Sequence, residues 1–207
     1  MTTLFRNPKS IYNPFVYIAG KEALLTGLAI IAITGLVGWL SHNWLDGMLD
    51  MHYGPQGALW MHIALGLTNW LSAVAVFTPM AMALSPSRVR IIDIAGTMAL
   101  ARFPMLLAVA TGFLNAPRKL AQWTLHTYLE QGDPVALSWM DILLAGMALI
   151  AIVCMVVWVV VLMYNAYKIS ANISGTKAGV SFTIAMIIAY VISKVAAGLL
   201  IHNFAVI

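Results

Sequence analysis

Three ionisable residues stand inside long apolar stretches of this 207-residue chain, namely Asp93, Arg102 and Lys194. A charged side chain at the centre of a bilayer costs about 3 kcal/mol or more, so such residues are candidate functional sites. Arg102 follows the start of its stretch by about 11 residues, which places it near mid-membrane at about 1.5 Å per residue. We therefore expect Arg102 to face the interior of a helix bundle, as a structural anchor or as a contact for a ligand or lipid.

The other two charges have simpler expectations. Asp93 stands near one end of the same stretch, where a carboxylate complements the dipole of a helix N-terminus. Nine residues at about 100° each separate it from Arg102, so the two side chains point to opposite faces and do not pair. Lys194 is predicted at about the level of Asp141, so Lys194 either pairs with that carboxylate across helices or extends its stem to the headgroups.

The histidines raise the question of a metal site. If the segment around them were helical, His42, Asp46 and Asp50 would share one face at four-residue spacing and could ligate a metal ion. The segment is rich in glycine, however, and contains no compact histidine pair. Only His62 and His202 have matched depths for a haem between helices. We predict no metal and no cofactor.

Composition limits the remaining functions. The chain is 62% hydrophobic and 9% charged, which is typical of a polytopic membrane protein. Its net charge of +4 does not indicate a nucleic-acid partner, because the basic residues fall at the ends of apolar stretches. The sequence has none of the H-E-x-x-H, G-x-S-x-G or P-loop patterns. We predict a protein that is not an enzyme.

Five stretches are long enough to cross a bilayer as helices, which predicts an all-α transmembrane bundle. Residues 1–22 are predicted to be an inner-surface segment, and residues 23–207 to form the transmembrane domain. Pro79 and Pro104 are predicted to kink the second and third spans. A further helix over about 117–131 is predicted to lie in the membrane interface. The predicted spans are about 23–40, 58–84, 91–114, 139–164 and 180–201.

Basic residues alternate between loops in a way that predicts the orientation. The loop over 42–57 contains no lysine or arginine, and the loop over 115–137 balances its charges. By the positive-inside rule, the N-terminus lies inside and the C-terminus outside. The lone cysteine, Cys154, is predicted to be a buried apolar residue. Residues Ala189, Ser193 and Ala197 predict close contact within the bundle or with a partner helix. The basic residues on the predicted inner side are Arg6, Lys9, Lys21, Arg88, Arg90, Lys168 and Lys177.

Three short motifs carry a family resemblance. They are Leu100-Ala101-Arg102-Phe103-Pro104 in the third span, Val161-Leu162-Met163-Tyr164-Asn165-Ala166-Tyr167-Lys168 at the end of the fourth, and the turn Ser174-Gly175-Thr176-Lys177-Ala178. Together with the order of five spans, they resemble the YIP family of integral membrane proteins, in its bacterial branch. This resemblance implies a non-catalytic protein of the bacterial inner membrane, with membrane lipids and an ABC-type exporter as candidate partners.

Three functional hypotheses remain, of which the third, a redox or metal subunit that uses the histidines, has the least support. In the first, the protein is a scaffold or accessory subunit, for example of an exporter, and Arg102, Pro104 and Lys194 stabilise the bundle. In the second, it is a transporter or channel, and Arg102 and Lys194 attract an anionic lipid or small solute into a polar cavity.

Overall fold

The computed structural model describes residues 9–204. Five of its helical stretches are long and apolar enough to cross a membrane: α2, α3, the pair α4–α5, α7 and α8. This confirms the predicted all-α, multi-pass membrane protein. The helices are α1 Lys9–Tyr12, α2 Gly20–Ser41, α3 Leu59–Leu84, α4 Ile91–Leu100, α5 Phe103–Ala110, α6 Asn115–Leu129, α7 Trp139–Ser170 and α8 Gly175–Phe204. The strands are β1 Asn43–Gly47 and β2 Asp50–Tyr53, and 3-10 turns cover Pro14–Val16 and Thr111–Phe113.

The bundle has two ends. We call one the hairpin end, where α2 and α8 finish and α3 and α7 begin, and the other the α2-start end. The fourth and fifth spans are longer than predicted. Helix α7 continues past Tyr164 to Ser170, and α8 begins at Gly175. Polar residues in these extensions lower the hydropathy without interrupting the helix. The helix predicted over 117–131 is present as α6, at Asn115–Leu129.

Helix α2 packs very closely on α4, and glycine residues on both helices permit the close approach. A Cβ atom on Gly27 would lie 2.4 Å from the Cβ of Ala99 and 2.5 Å from the amide nitrogen of Leu100. A Cβ on Gly96 would lie 2.6 Å from the carbonyl oxygen of Gly20. Small residues allow such close approach of helix backbones inside a membrane, where dispersion contacts drive association.

We expect Gly27→Ala to lower the thermal unfolding temperature of the purified protein by about 5–10 °C, because the added methyl group forces α2 away from α4. The matched control is Gly146→Ala on α7, where a Cβ would have no atom within 4 Å. That control is expected to hold or slightly raise the unfolding temperature. Equal behaviour of the two variants in the same detergent would contradict the close packing.

The third span is broken. Helix α4 ends at Leu100 and α5 begins at Phe103, with Ala101 and Arg102 between them. Pro104 is an early residue of α5, where its missing N–H costs little. Helix α3, in contrast, runs without interruption through Pro79.

The segment between α2 and α3, predicted as a loop or helix, is a β-hairpin. Its strands are antiparallel and pair Asn43 with Tyr53, Trp44 with His52 and Gly47 with Asp50. The suggestion that His42, Asp46 and Asp50 share a helical face is therefore wrong. The two paired strands make the segment a compact hairpin with its tip at Met48 and Leu49.

The hairpin tip does enter the bundle. Met48 is completely buried, and its amide nitrogen lies 2.9 Å from the hydroxyl of Ser193 on α8. Ser193 precedes the end of α8 by 11 residues, or about 16 Å of helix. Non-helical backbone is tolerated at such depth only where protein or a water-filled cavity surrounds it. The tip of the hairpin is therefore enclosed by the helices of the bundle.

The N-terminal segment, predicted as 1–22, lies against α7 in its described part. The Trp158 indole donates to the Ile11 carbonyl at 3.1 Å, and the Asn165 amide donates to the Tyr12 carbonyl at 2.9 Å. Asn13 precedes the 3-10 turn at Pro14–Val16, and its side chain does not cap that turn. Residues 1–8, which include Arg6, lie outside the described residues.

Candidate functional site

Lys194 joins the hairpin to α8. Its Nζ lies 2.9 Å from Oδ2 of Asp46 and 2.6 Å from Oδ2 of Asp50. The imidazole of His52 contacts the other oxygen of Asp46, with Nδ1 3.3 Å away. The suggested pair between Lys194 and Asp141 is therefore wrong, because the carboxylates that reach Lys194 come from the hairpin.

The same contacts keep Asp46 ionised. Burial by itself would raise the pKa of Asp46, but the hydrogen bonds and charges of His52 and Lys194 outweigh it and lower that pKa to about 2. The carboxylate is thus negative at any physiological pH. The ion pair of Lys194 with Asp46 and Asp50 therefore connects the hairpin to α8.

Arg102 also contacts the hairpin tip. Its side chain is 3% exposed, and Nη2 donates to the carbonyl oxygen of Met48 at 3.2 Å. The break between α4 and α5 lets this guanidinium reach the hairpin, because the chain at Ala101 and Arg102 leaves the regular helix path. The expectation that Arg102 faces the bundle interior agrees with this position.

Polar side chains of the helices satisfy further backbone groups of the hairpin. The Asn69 amide on α3 donates to the Leu45 carbonyl at 2.8 Å. The hydroxyl oxygen of Ser193 accepts a hydrogen bond from the Met48 amide, as described above. Ser193 belongs to a row of small residues on α8 with Ala189 and Ala197. All three residues of that row are fully buried, so the row packs inside the bundle. We call Lys194, Arg102, Ser193 and Asn69 the hairpin anchor.

The hairpin base is also fixed. The Asn43 amide donates to the carbonyl of Val109 near the end of α5, at 2.9 Å, and the hydroxyl of Ser41 donates to the same oxygen, also at 2.9 Å. His62 on α3 is 2% exposed and its Nδ1 donates to the Asn43 carbonyl at 3.2 Å. Each of these bonds replaces water that the buried backbone would otherwise need.

A small cavity adjoins Arg102. It measures about 10 Å³ and is lined by Ile31, Thr34, Leu45, Gly66, Arg102 and Met105. The second terminal nitrogen of Arg102, Nη1, is buried without a hydrogen-bond partner. Such a volume holds about one water molecule. The guanidinium therefore combines one structural hydrogen bond with one uncommitted donor group.

Asp93 and Asp141 occupy helix starts. Asp93 lies in the first turn of α4 and pairs with Arg90 at 3.0 Å, while Asp141 pairs with Lys119 of α6 at 3.0 Å. Asp141 also completes a capping box with Ser138 at the start of α7. Both carboxylates thus complement helix N-termini, and Asp141 also ties α6 to α7.

The histidines and carboxylates considered for metal binding do not form a metal-binding group in the described residues. In the described range 9–204, no group of three or more His, Cys, Asp and Glu side chains could hold a metal ion. His62 packs against the indole of Trp44, with ring centroids 4.4 Å apart. Cys154 is exposed on α7, so the expectation that it is buried is wrong. Its helix faces outward at this position.

The partners that sequence reasoning missed are Asp46, Asp50 and Asn69. A partial signal for the first two was present, because Asp-Gly is a dipeptide typical of hairpin turns and Asp46-Gly47 is flanked by apolar residues. The turn itself follows directly after this dipeptide, at Met48 and Leu49. Asn69 gave no local signal. Comparison of the chain with protein-family models, curated proteins and solved structures finds no match.

Proposed function

We propose that this protein is a non-catalytic membrane scaffold or accessory subunit. The observation that carries the proposal is the hairpin anchor, in which the deepest charged side chains of the bundle bind another part of the same chain. Lys194 is neutralised by Asp46 and Asp50, and Arg102 binds the hairpin backbone. Charges arranged in this way stabilise a shape, which is what a scaffold needs.

The exposed surface of α7 supports a membrane partner. In the half of α7 nearest the hairpin end, apolar side chains are exposed around most of the helix, while Ala145 and Ala148 are buried. A lipid-facing helix packed on one side would leave a narrower exposed face. We infer that this half of α7 receives a helix of a partner membrane protein. The exposed residues are Ile142, Leu143, Leu144, Met147, Leu149, Ile150 and Val153.

The same proposal includes the resemblance to the YIP family and a location in the bacterial inner membrane. It also includes an inside N-terminus and an ABC-type exporter as the partner. The motifs of the resemblance include Arg102 and Pro104 at the broken span, where the hairpin is held. A scaffold role therefore assigns these residues to architecture.

Photo-crosslinking in cells tests the proposal. A benzophenone amino acid at Met147 or Ile150 is expected to capture one and the same membrane protein, identifiable by mass spectrometry. The matched control is Val195 on α8, which is 59% exposed and equally apolar. Adducts at Ile150 that contain lipid alone, or that match those at Val195, would reject the accessory-subunit role.

A transporter is the second candidate, and the uncommitted Nη1 of Arg102 beside its cavity favours it. A cavity of about 10 Å³ would have to enlarge for any solute bigger than water to pass. Purified protein in liposomes is therefore expected to carry no anion flux. Flux that requires Arg102 would replace the scaffold proposal by this one.

A further inference from the structure

A pocket separate from the hairpin anchor lies between α6 and the loop that follows the hairpin. It has a volume of about 370 Å³, and its polar lining consists of His42, Tyr53, Gln56, Arg118 and Gln122. These side chains are mainly hydrogen-bond donors or groups able to donate. In chemical terms, the lining suits a ligand rich in acceptor oxygens.

The pocket carries a positive charge that no carboxylate neutralises. Arg118 donates from Nε to the Tyr53 hydroxyl, and its guanidinium carbon lies 4.8 Å from the centre of the Tyr53 ring. Within residues 9–204, no Asp or Glu lies within salt-bridge distance of Arg118, whereas the neighbouring Lys119 is paired with Asp141. The first turn of α6 contains no acidic residue, so the helix dipole adds to the positive potential.

An apolar groove adjoins this pocket. The groove has a volume of about 410 Å³, and Trp44, Met61, Ile201 and Phe204 provide its apolar lining. Pro55 and Gln56 line both the groove and the cationic pocket, so only this short stretch of chain separates them. A cationic compartment beside an apolar one matches a molecule with an anionic head and a hydrocarbon tail.

We propose that these two compartments bind one phosphate-bearing lipid. The phosphate lies in the pocket with Arg118, and an acyl chain lies in the groove along Trp44 and Phe204. A planar guanidinium recognises phosphate through paired hydrogen bonds, and α6 places it at the edge of the bundle where headgroups lie. The site is independent of the hairpin anchor and of the partner surface on α7.

Native mass spectrometry of the full chain in detergent tests the site, with dioctanoyl-phosphatidylglycerol as the probe. Arg118→Gln is expected to weaken binding about tenfold, because one charge-assisted contact to phosphate is lost. Gln122→Glu, at an exposed position of the same pocket, is expected to weaken binding by repulsion and does not depend on the Tyr53 contact. The matched control is Arg88→Gln, an exposed arginine at the α2-start end, which should bind as the native protein does.

Two further probes separate the sources of phosphate. Dioctanoylglycerol, which lacks phosphate, and inorganic phosphate alone are each expected to bind at least tenfold more weakly than the phospholipid. Inorganic phosphate that binds as well as the lipid would reduce the site to a free-phosphate site and overturn the proposal. Native-like binding by both Arg118→Gln and Gln122→Glu, or equal loss in Arg88→Gln, would also overturn it.

Discussion

Replacing Lys194 with methionine is expected to lower the free energy of unfolding by about 2 kcal/mol and to release the hairpin from α8. The side chains of Asp46 and Asp50 are 22% and 43% exposed, so the pair is only half-buried and its loss lies between that of a surface and a buried ion pair. Without Lys194, two carboxylates remain side by side and repel each other at the entrance to the bundle.

Hydrogen exchange measures this release directly. In Lys194→Met, the amides of Asn43–Tyr53 should exchange faster, while those in the middle of α4 keep their protection. The triple variant Asp46→Asn, Asp50→Asn, Lys194→Met is the control, since it removes the ion pair without leaving a bare charge, and it should recover most of the stability. Native protection of the hairpin in Lys194→Met would show that the ion pair does not hold it.

The five spans were predictable because hydropathy is a local property of the chain. A run of about 20 apolar residues is a helix across a membrane whatever its neighbours are, since backbone groups must be satisfied within the segment. Helix α6 was predictable for a similar reason, because helix-forming residues precede Gly132 and Pro134, which indicate a stop. The helix ends slightly earlier, at Leu129, where Glu130 adopts a left-handed conformation. The ion pair of Lys119 on this helix with Asp141 is not specified by periodicity.

The hairpin anchor was not predictable in the same way. Asp46 and Asp50 are polar residues in a glycine-rich segment, which is the usual composition of a surface loop. Their position depends on contacts of the hairpin with Ser193 and Lys194, more than 140 residues away in sequence. Depth along each helix was the only guide to pairing, and Asp141 stood at a matching depth to Lys194. The hairpin brings Asp46 and Asp50 to the level of Lys194. A prediction made for each span separately does not include such a contact.

Arg102 shows both what depth can and cannot predict. Its position in the middle of an apolar stretch correctly indicated a side chain directed into the bundle. Its partner, the carbonyl of Met48, was invisible because any residue has a carbonyl and only the fold selects one.

Arg102→Ala is expected to destabilise the protein by about 3 kcal/mol in thermal or denaturant unfolding. The truncation removes the packed stem of a side chain that is 97% buried and leaves the Met48 carbonyl without a donor. It also joins the space of the side chain to the cavity beside it, which adds the cost of an enlarged void.

Arg102→Gln separates the structural role of this residue from its charge. The glutamine side chain is shorter than arginine by two bonds, but it keeps a polar donor near the Met48 carbonyl and fills more of the space than alanine does. The variant also no longer buries a cation that lacks a carboxylate partner in the described chain. For a scaffold, Arg102→Gln should therefore retain most of the stability and the crosslinked partner at Ile150, while Arg102→Ala loses both. For a transporter of anions, Arg102→Gln should abolish flux in liposomes although the protein remains folded. A transporter of anions requires the positive charge of Arg102, whereas a scaffold requires only the polar contact and the packing of the side chain. This pair of variants therefore distinguishes the two functions.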